Sequence, residues 1–265
     1  MPYPLSATKL LEYQRCPQAY YFRYERGIEP PSFSTRADAL GTALHHALAK
    51  IYWEWHYLEA KPGRDWIDFC WSQQQTKLDD SQIYEGQAIL RFYYSRFIAS
   101  LPDLHKPVAV EGKIQGSLPV ENLEFSLKGR YDRLDWLDDG LELIDYKSNK
   151  VVKLPDPDRV DLQLGLYYLA LEQKYGQSLK HLSLIYLRTG EKFTFDASPE
   201  HKEMAEETIT EIALRLREEC DWEPAPGQQC AKCYYARYCP AVQDDPHPMP
   251  ADAKPLKALQ LVLDF

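Results

Sequence analysis

Residues 141–147, Leu-Glu-Leu-Ile-Asp-Tyr-Lys, alternate apolar and polar positions before the run ends, and Asp138-Asp139-Gly140 just upstream is a turn signal. The pattern predicts the second arm of a short antiparallel hairpin whose first arm covers residues 129–136. Strands are also expected at 108–117 and 123–128 before the hairpin, and at 182–187 and 192–195 after it. Helical spacing starts at Ser6 as an N-cap, breaks at Cys16-Pro17 and resumes to about Glu25, ahead of a loop at Pro30-Pro31-Ser32. Residues 36–100 read as three helices, with breaks at Lys61-Pro62-Gly63 and Asp79-Asp80-Ser81. One helix follows Pro155 and Pro157 and runs to about Tyr175, and a charged amphipathic helix follows Pro199 to about Cys220. This order predicts an α/β fold, a mixed central β-sheet flanked by helices, with an N-terminal helical insertion and no internal repeat.

The hairpin carries the chemistry. Asp145 and Lys147 are two apart, so on a strand both side chains leave one face, while Tyr146 points the other way and offers its backbone carbonyl. Asp132 on the preceding arm comes within reach of the same cation. Oxygen ligands of this kind suit Mg2+ or Mn2+, which polarises a phosphate and lowers the pKa of an attacking water, with Lys147 as a further point charge. Taken alone, these residues also fit a solvated Asp-x-Lys on an exposed strand.

Asp132 followed by Ile144-Asp145-Tyr146-Lys147-Ser148-Asn149 resembles the core of the PD-(D/E)xK nuclease superfamily, particularly its RecB-like branch, although neither Pro nor a second acid directly precedes Asp145. Gly41-Thr42-Ala43-Leu44-His45 resembles the branch's helix with a metal-ligating histidine, and Glu111 resembles the acidic residue of its first core strand. Asp161-Leu162-Gln163, with Tyr167 one turn on, resembles its Gln/Tyr helix. The resemblance implies a restriction-endonuclease-like core and a cation held by His45, Asp132, Asp145 and the Tyr146 carbonyl, assisted by Glu111. Lys147 then positions the nucleophilic water, and Gln163 and Tyr167 touch DNA or the catalytic cluster. The implied activity is a metal-dependent deoxyribonuclease trimming single-stranded or ended DNA in repair or recombination. End trimming in CRISPR adaptation shares that chemistry, and a non-catalytic iron-sulfur DNA-binding subunit is the remaining alternative. No GxxxxGK(S/T) phosphate loop occurs, so any helicase activity would belong to a partner, and an integrase is the partner expected under the adaptation reading.

Cys230-x-x-Cys233-x5-Cys239 is a compact group of thiolate ligands that needs a fourth. Iron-sulfur RecB-like nucleases place one cysteine near the N-terminus and three near the C-terminus, which nominates Cys16 and implies a 4Fe-4S cluster as a clasp joining the termini. A zinc ion held by the same four thiolates is the rival, and Cys70 and Cys220 read as core or surface thiols. The expected division is a first helical segment (1–35), a helical region with His45 (36–100), the nuclease core (101–222), the cluster segment (223–241) and a flexible tail (242–265).

The 265 residues carry a formal net charge of -9, which argues against a protein that coats nucleic acid nonspecifically. Basic residues nevertheless gather at Lys9, Arg15, Arg23 and Arg26 and again at Lys232 and Arg237, making Arg15 a candidate DNA contact. Of the nearby aromatics Tyr20, Tyr21, Phe22, Tyr24, Tyr234, Tyr235 and Tyr238, one or two are expected to stack on unpaired bases and the rest to pack inward. No run approaches the roughly 18 apolar residues of a membrane span, and no signal segment opens the chain, so the cytoplasm is the expected compartment. Residues 244–257 read as a tether leading to Gln260-Leu261-Val262-Leu263-Asp264-Phe265, which resembles the QxxLxF peptide that docks on bacterial sliding clamps through Gln260, Leu263 and Phe265. A last strand or helix packed on the domain is the other reading of that ending.

Overall fold

A computed structural model describes residues 3–30, 36–121, 123–150 and 161–255. The chain forms two compact units, one of residues 1–6 and 34–210 and the other of residues 7–33 and 211–265. In chain order the elements are β1 (Tyr3–Leu5), α1 (Ala7–Arg15), α2 (Pro17–Tyr20) with a π-helical turn at Tyr21–Glu25, α3 (Arg36–Trp53), α4 (Arg64–Ser72) and α5 (Asp80–Phe97). Then come β2 (Ala109–Val120), β3 (Leu123–Leu137), β4 (Gly140–Lys147), α6 (Leu162–Tyr175), β5 (Leu179–Tyr186), β6 (Glu191–Asp196) and α7 (Pro199–Glu218).

The first unit is built on a six-stranded mixed sheet. Antiparallel pairing joins β2 to β3, β3 to β4 and β5 to β6, whereas β1 runs parallel to β3 and β4 parallel to β5. The parallel step needs a crossover, which α6 supplies. Residues 164–171 of α6 are all buried, as suits a helix laid against β2, β3 and β5. Ile144, Tyr146, Ile185 and Leu187 share a second core with Leu44, Leu48 and Ile51 of α3, Trp71 of α4 and Leu90 of α5. Helices therefore cover the sheet, and the helical breaks fall where Pro62-Gly63 and the Asp79 capping box place them.

Two local expectations differ. Residues 123–128 and 129–136 form the single strand β3, because Gly129 is there for close approach and not for a turn: a Cβ at that position would lie 2.9 Å from the Tyr167 ring. The short β1, with Pro4 in it, shows no readable period. The loop at Pro31 and Ser32, the Pro155 and Pro157 stretch and the clamp-like ending Gln260, Leu263 and Phe265 lie outside the described residues.

The second unit corrects the expected clasp. No cysteine is in a disulfide; Cys70, in the first unit, is buried and Cys220 is exposed. Cys16, Cys230, Cys233 and Cys239 border one small pocket, yet no three of their sulfurs lie within 4.8 Å of one another, and the metal-competent group among the described residues contains no cysteine. Neither the 4Fe-4S cluster nor the zinc alternative finds support. What joins the early and late segments is an aromatic core: Tyr20 stacks on Trp222 at 5.8 Å, Phe22 meets Tyr235 at 5.7 Å, and the Tyr235 hydroxyl donates to the Ile28 carbonyl. Cys239 is buried in this core, and Cys16 and Cys233 pack against it as small apolar groups. Tyr20, Tyr21, Phe22 and Tyr235 are buried, in line with the expectation that most of these aromatics pack inward. The segment read as a tether also folds back, since the Lys254 amide donates to the Arg26 carbonyl and Arg26 Nε to the Lys254 carbonyl. Among the described residues no helix is long and apolar enough to cross a membrane.

Candidate metal and nucleic-acid site

β3 and β4 meet with Arg133 opposite Ile144, so Asp132 and Asp145 stand at neighbouring positions on the two strands. On the other side of β3, Val110 pairs with Arg133 and Gly112 with Tyr131, which sets Glu111 beside Asp132. Glu111 has φ of 51°, a left-handed conformation that costs a non-glycine residue about 1–3 kcal/mol. The fold keeps this strain at the point where Glu111 joins His45 and Asp132: one ligand atom from each of the three lies within 4.8 Å of the others. His45 comes from the middle of α3, and its Nδ1 is 2.8 Å from Asp132 Oδ1. The helix approaches closely because residue 41 is glycine; a Cβ there would sit 2.9 Å from Ser148 Oγ.

Asp145 and Lys147 do leave one face of β4, and their charged ends are 2.8 Å apart. Gln163 on α6 joins both, donating from Nε2 to Asp145 Oδ1 at 2.7 Å and accepting from Lys147 Nζ at 2.6 Å. Tyr167, one turn along, lies 2.9 Å from Gln163 Nε2 and donates to the Arg130 carbonyl, which ties α6 to β3. Tyr146 turns to the opposite side, where its hydroxyl accepts from Arg133 at 2.8 Å. Arg133 is buried against the Tyr52 ring at 3.9 Å and pairs with Asp135 at 2.9 Å.

Burial pushes the Asp145 carboxyl up to about 6 against the pull of Lys147, and the neighbouring Asp132 charge adds to the rise. Burial would lower the Lys147 ammonium, but the charge and hydrogen bond of Asp145 outweigh it and the pKa is raised. His45 follows the same logic, its pKa raised because Asp132 outweighs burial, with Asp145 and Glu111 contributing. An anionic hollow that holds protons and cations above their ordinary affinity is suited to a divalent ion, and one imidazole with carboxylates is a donor set that Mg2+ and Mn2+ accept.

The three metal-competent residues open on a cleft of about 640 Å³ that Arg130, Lys150 and Arg188 also line. Glu111 lies 3.3 Å from Arg130, and Arg188 donates to Glu85 at 2.5 Å and to the Ser148 carbonyl at 2.8 Å. The profile of the PD-(D/E)XK nuclease superfamily matches residues 4–240. The chain belongs to the PD-(D/E)XK nuclease superfamily. A solved structure titled as that of SSO0001 is 17% identical, aligned over 91% of this chain and 87% of that one with a TM-score of 0.45. None of the curated proteins compared with the chain matches it.

As a member of the superfamily the chain has the fold of a metal-dependent nuclease, with His45, Glu111 and Asp132 as candidate metal-binding triad. Of the expected site residues, the structure gathers His45, Glu111 and Asp132 in one group and Asp145, Lys147, Gln163 and Tyr167 in a second connected through β3 and β4. Asp145 stands outside the first group, its two oxygens engaged by Lys147 and Gln163. Arg15 belongs to the second unit, where it is 53% exposed and paired with Glu12. Arg130, Lys150 and Arg188 were not anticipated; Arg130, two residues before Asp132 on β3, is the one whose position could have been read from strand alternation.

Proposed function

We propose that the protein is a metal-dependent deoxyribonuclease of the RecB-like branch, hydrolysing phosphodiester bonds in single-stranded or ended DNA during repair or recombination. The observation that carries this reading is the convergence of His45, Glu111 and Asp132 beside the Asp145–Lys147–Gln163 triangle, in a cleft with basic walls. The contribution of a helix histidine and a Gln/Tyr helix to one site supports the branch.

His45, Glu111, Asp132 and Asp145 would hold Mg2+ or Mn2+, which when bound supplies Lewis-acid polarisation of the phosphate and a more acidic water. Lys147 stays an ammonium, clamped between Asp145 and Gln163, and its remaining proton is available to a water or a phosphate oxygen. Gln163 bonds to both members of the Asp145–Lys147 ion pair and so fixes the orientation of the carboxylate and the ammonium together. Arg130, Lys150 and Arg188 face the phosphates on either side of the bond being cut.

The test is cleavage of an end-labelled single strand with Mg2+ or Mn2+ by the wild-type protein and by Lys147→Ala. Loss of cleavage in the variant, with a folded circular-dichroism spectrum, is expected; equal cleavage by both proteins refutes the assignment.

A further inference from the structure

The cleft at the metal-competent residues does not end there. Thr42 and His46 border it and also border a second cleft of about 330 Å³, walled by Ala39 and Ala43 on one side and by Gln73, Gln74, Thr76 and Lys77 on the other. Ala39, Thr42, Ala43 and His46 are spaced i, i+3, i+4, i+7, so they form a single stripe along α3. Two alanines and a threonine in that stripe leave room for a chain to lie close to the helix. The opposite wall is the connection between α4 and α5, on which Gln73, Thr76 and Lys77 are exposed.

The charge of this trench runs against that of the chain. Arg130, Lys150 and Arg188 line the first cleft and Lys77 the second, whereas the acids lining the two are Glu111 and Asp132, both of them members of the metal-competent group. Arg130 pairs with Glu111, and Lys150 and Arg188 both pair with Glu85, whereas Lys77 has no ion pair among the described residues, so a chain of formal charge -9 leaves a cation open to a phosphate at the far end of the trench. The amides of Gln73 and Gln74 with the His46 imidazole add donors and acceptors, which match the edges of bases that are not already paired.

We infer that one DNA strand lies along the α3 stripe, with the scissile phosphate at His45, Glu111 and Asp132. The neighbouring nucleotides pass over Thr42 and His46 onto the α4–α5 connection, where Lys77 takes a phosphate and Gln73 and Gln74 meet unpaired base edges. This rests on the nuclease reading above and adds which way the strand leaves the site and why it must be unpaired there.

Binding of a fluorescein-labelled 15-mer oligothymidylate to the full chain, in EDTA so that no cleavage occurs, tests the track by anisotropy over a series of salt concentrations. Lys77→Ala is expected to raise Kd roughly three- to tenfold and to reduce the slope of log Kd against log salt by about 0.7, the loss of one single-strand phosphate contact. Lys77→Arg restores both values. Gln73→Ala combined with Gln74→Ala raises Kd without changing the slope, because neutral contacts release no counterion. If wild-type protein binds and cleaves the strand while Lys77→Ala keeps its Kd and slope, the track is wrong and the nuclease reading stands. If wild-type protein neither binds nor cleaves it, the nuclease reading fails and takes the track with it.

Discussion

Asp132 accepts the backbone amide of Tyr146 through Oδ2 at 2.6 Å, leaving Oδ1 to face His45 at 2.8 Å. One carboxylate therefore holds the β3–β4 pair in place and also belongs to the metal-competent group. An asparagine oxygen can still take the Tyr146 amide but brings no charge. Asp132→Asn should fold with a Tm near that of the wild type and lose Mn2+ affinity by more than the roughly 10–100-fold typical of an outer partner. Titration calorimetry and a melting curve on the same sample separate the two effects, and unchanged Mn2+ affinity would remove Asp132 from the ligand set.

Gln163 acts on the site through Asp145 and Lys147. Gln163→Ala should lower kcat by about 10–100-fold, with KM for DNA little changed, as expected for a positioning residue. Gln163→Glu adds a carboxylate next to Asp145, so the acid limb of the pH–rate profile should move to higher pH. A limb at the same pH in both proteins would show that Gln163 does not set the environment of Asp145.

The raised pKa of Asp145, about 6, has two consequences of opposite sign. In the metal-free fold the proton is held more tightly than in the unfolded chain, so stability falls as pH rises from the ordinary carboxylate value through about 6. A cation needs that proton gone, and the proton of His45 as well, so affinity for Mn2+ falls as pH drops below about 6. The melting temperature of the metal-free protein should therefore decline between pH 5 and 7, and the increase produced by Mn2+ should be larger at the upper end of that range. A Mn2+ increment that does not change with pH contradicts the assignment.

Arg133 is a buried cation whose partners are Asp135 and the hydroxyls of Tyr93 and Tyr146. Removing it leaves Asp135 without its ion pair and the tyrosines without a donor. Arg133→Ala should destabilise the fold by about 3–5 kcal/mol, measurable by urea denaturation. Arg133→Lys should recover part of that loss through the ion pair but not the stacking on Tyr52.

Gly86 on α5 lies under the fully buried Trp71 ring, which a Cβ would meet at 2.2 Å. Helix propensity alone would make alanine the better residue by about 1 kcal/mol. Here overpacking wins, and Gly86→Ala should destabilise the protein by about 1–3 kcal/mol. A higher melting temperature in the variant would show that Trp71 can move aside.

The hairpin of β3 and β4, the opposed faces of Asp145 and Tyr146, and the starts of α4 and α5 were legible from the chain, whereas α3 and α4 end, at Trp53 and Ser72, well before the breaks the sequence offers. These features depend on backbone alternation and on Pro, Gly and capping residues, forces that act over a few positions. The placement of Asp132, Asp145 and Lys147 on adjoining strands was legible for the same reason, since a short turn joins β3 to β4. Only the tertiary structure decided that Glu111 bends into a left-handed conformation to reach His45 and Asp132, and that Gln163 ties Asp145 to Lys147. It also decided that Cys16, Cys230, Cys233 and Cys239 border one small pocket without gathering as ligands of one centre. Residue spacing constrains what neighbours along the chain can do; which distant side chains meet is settled by the packing of whole helices and strands, and no short pattern encodes that sum.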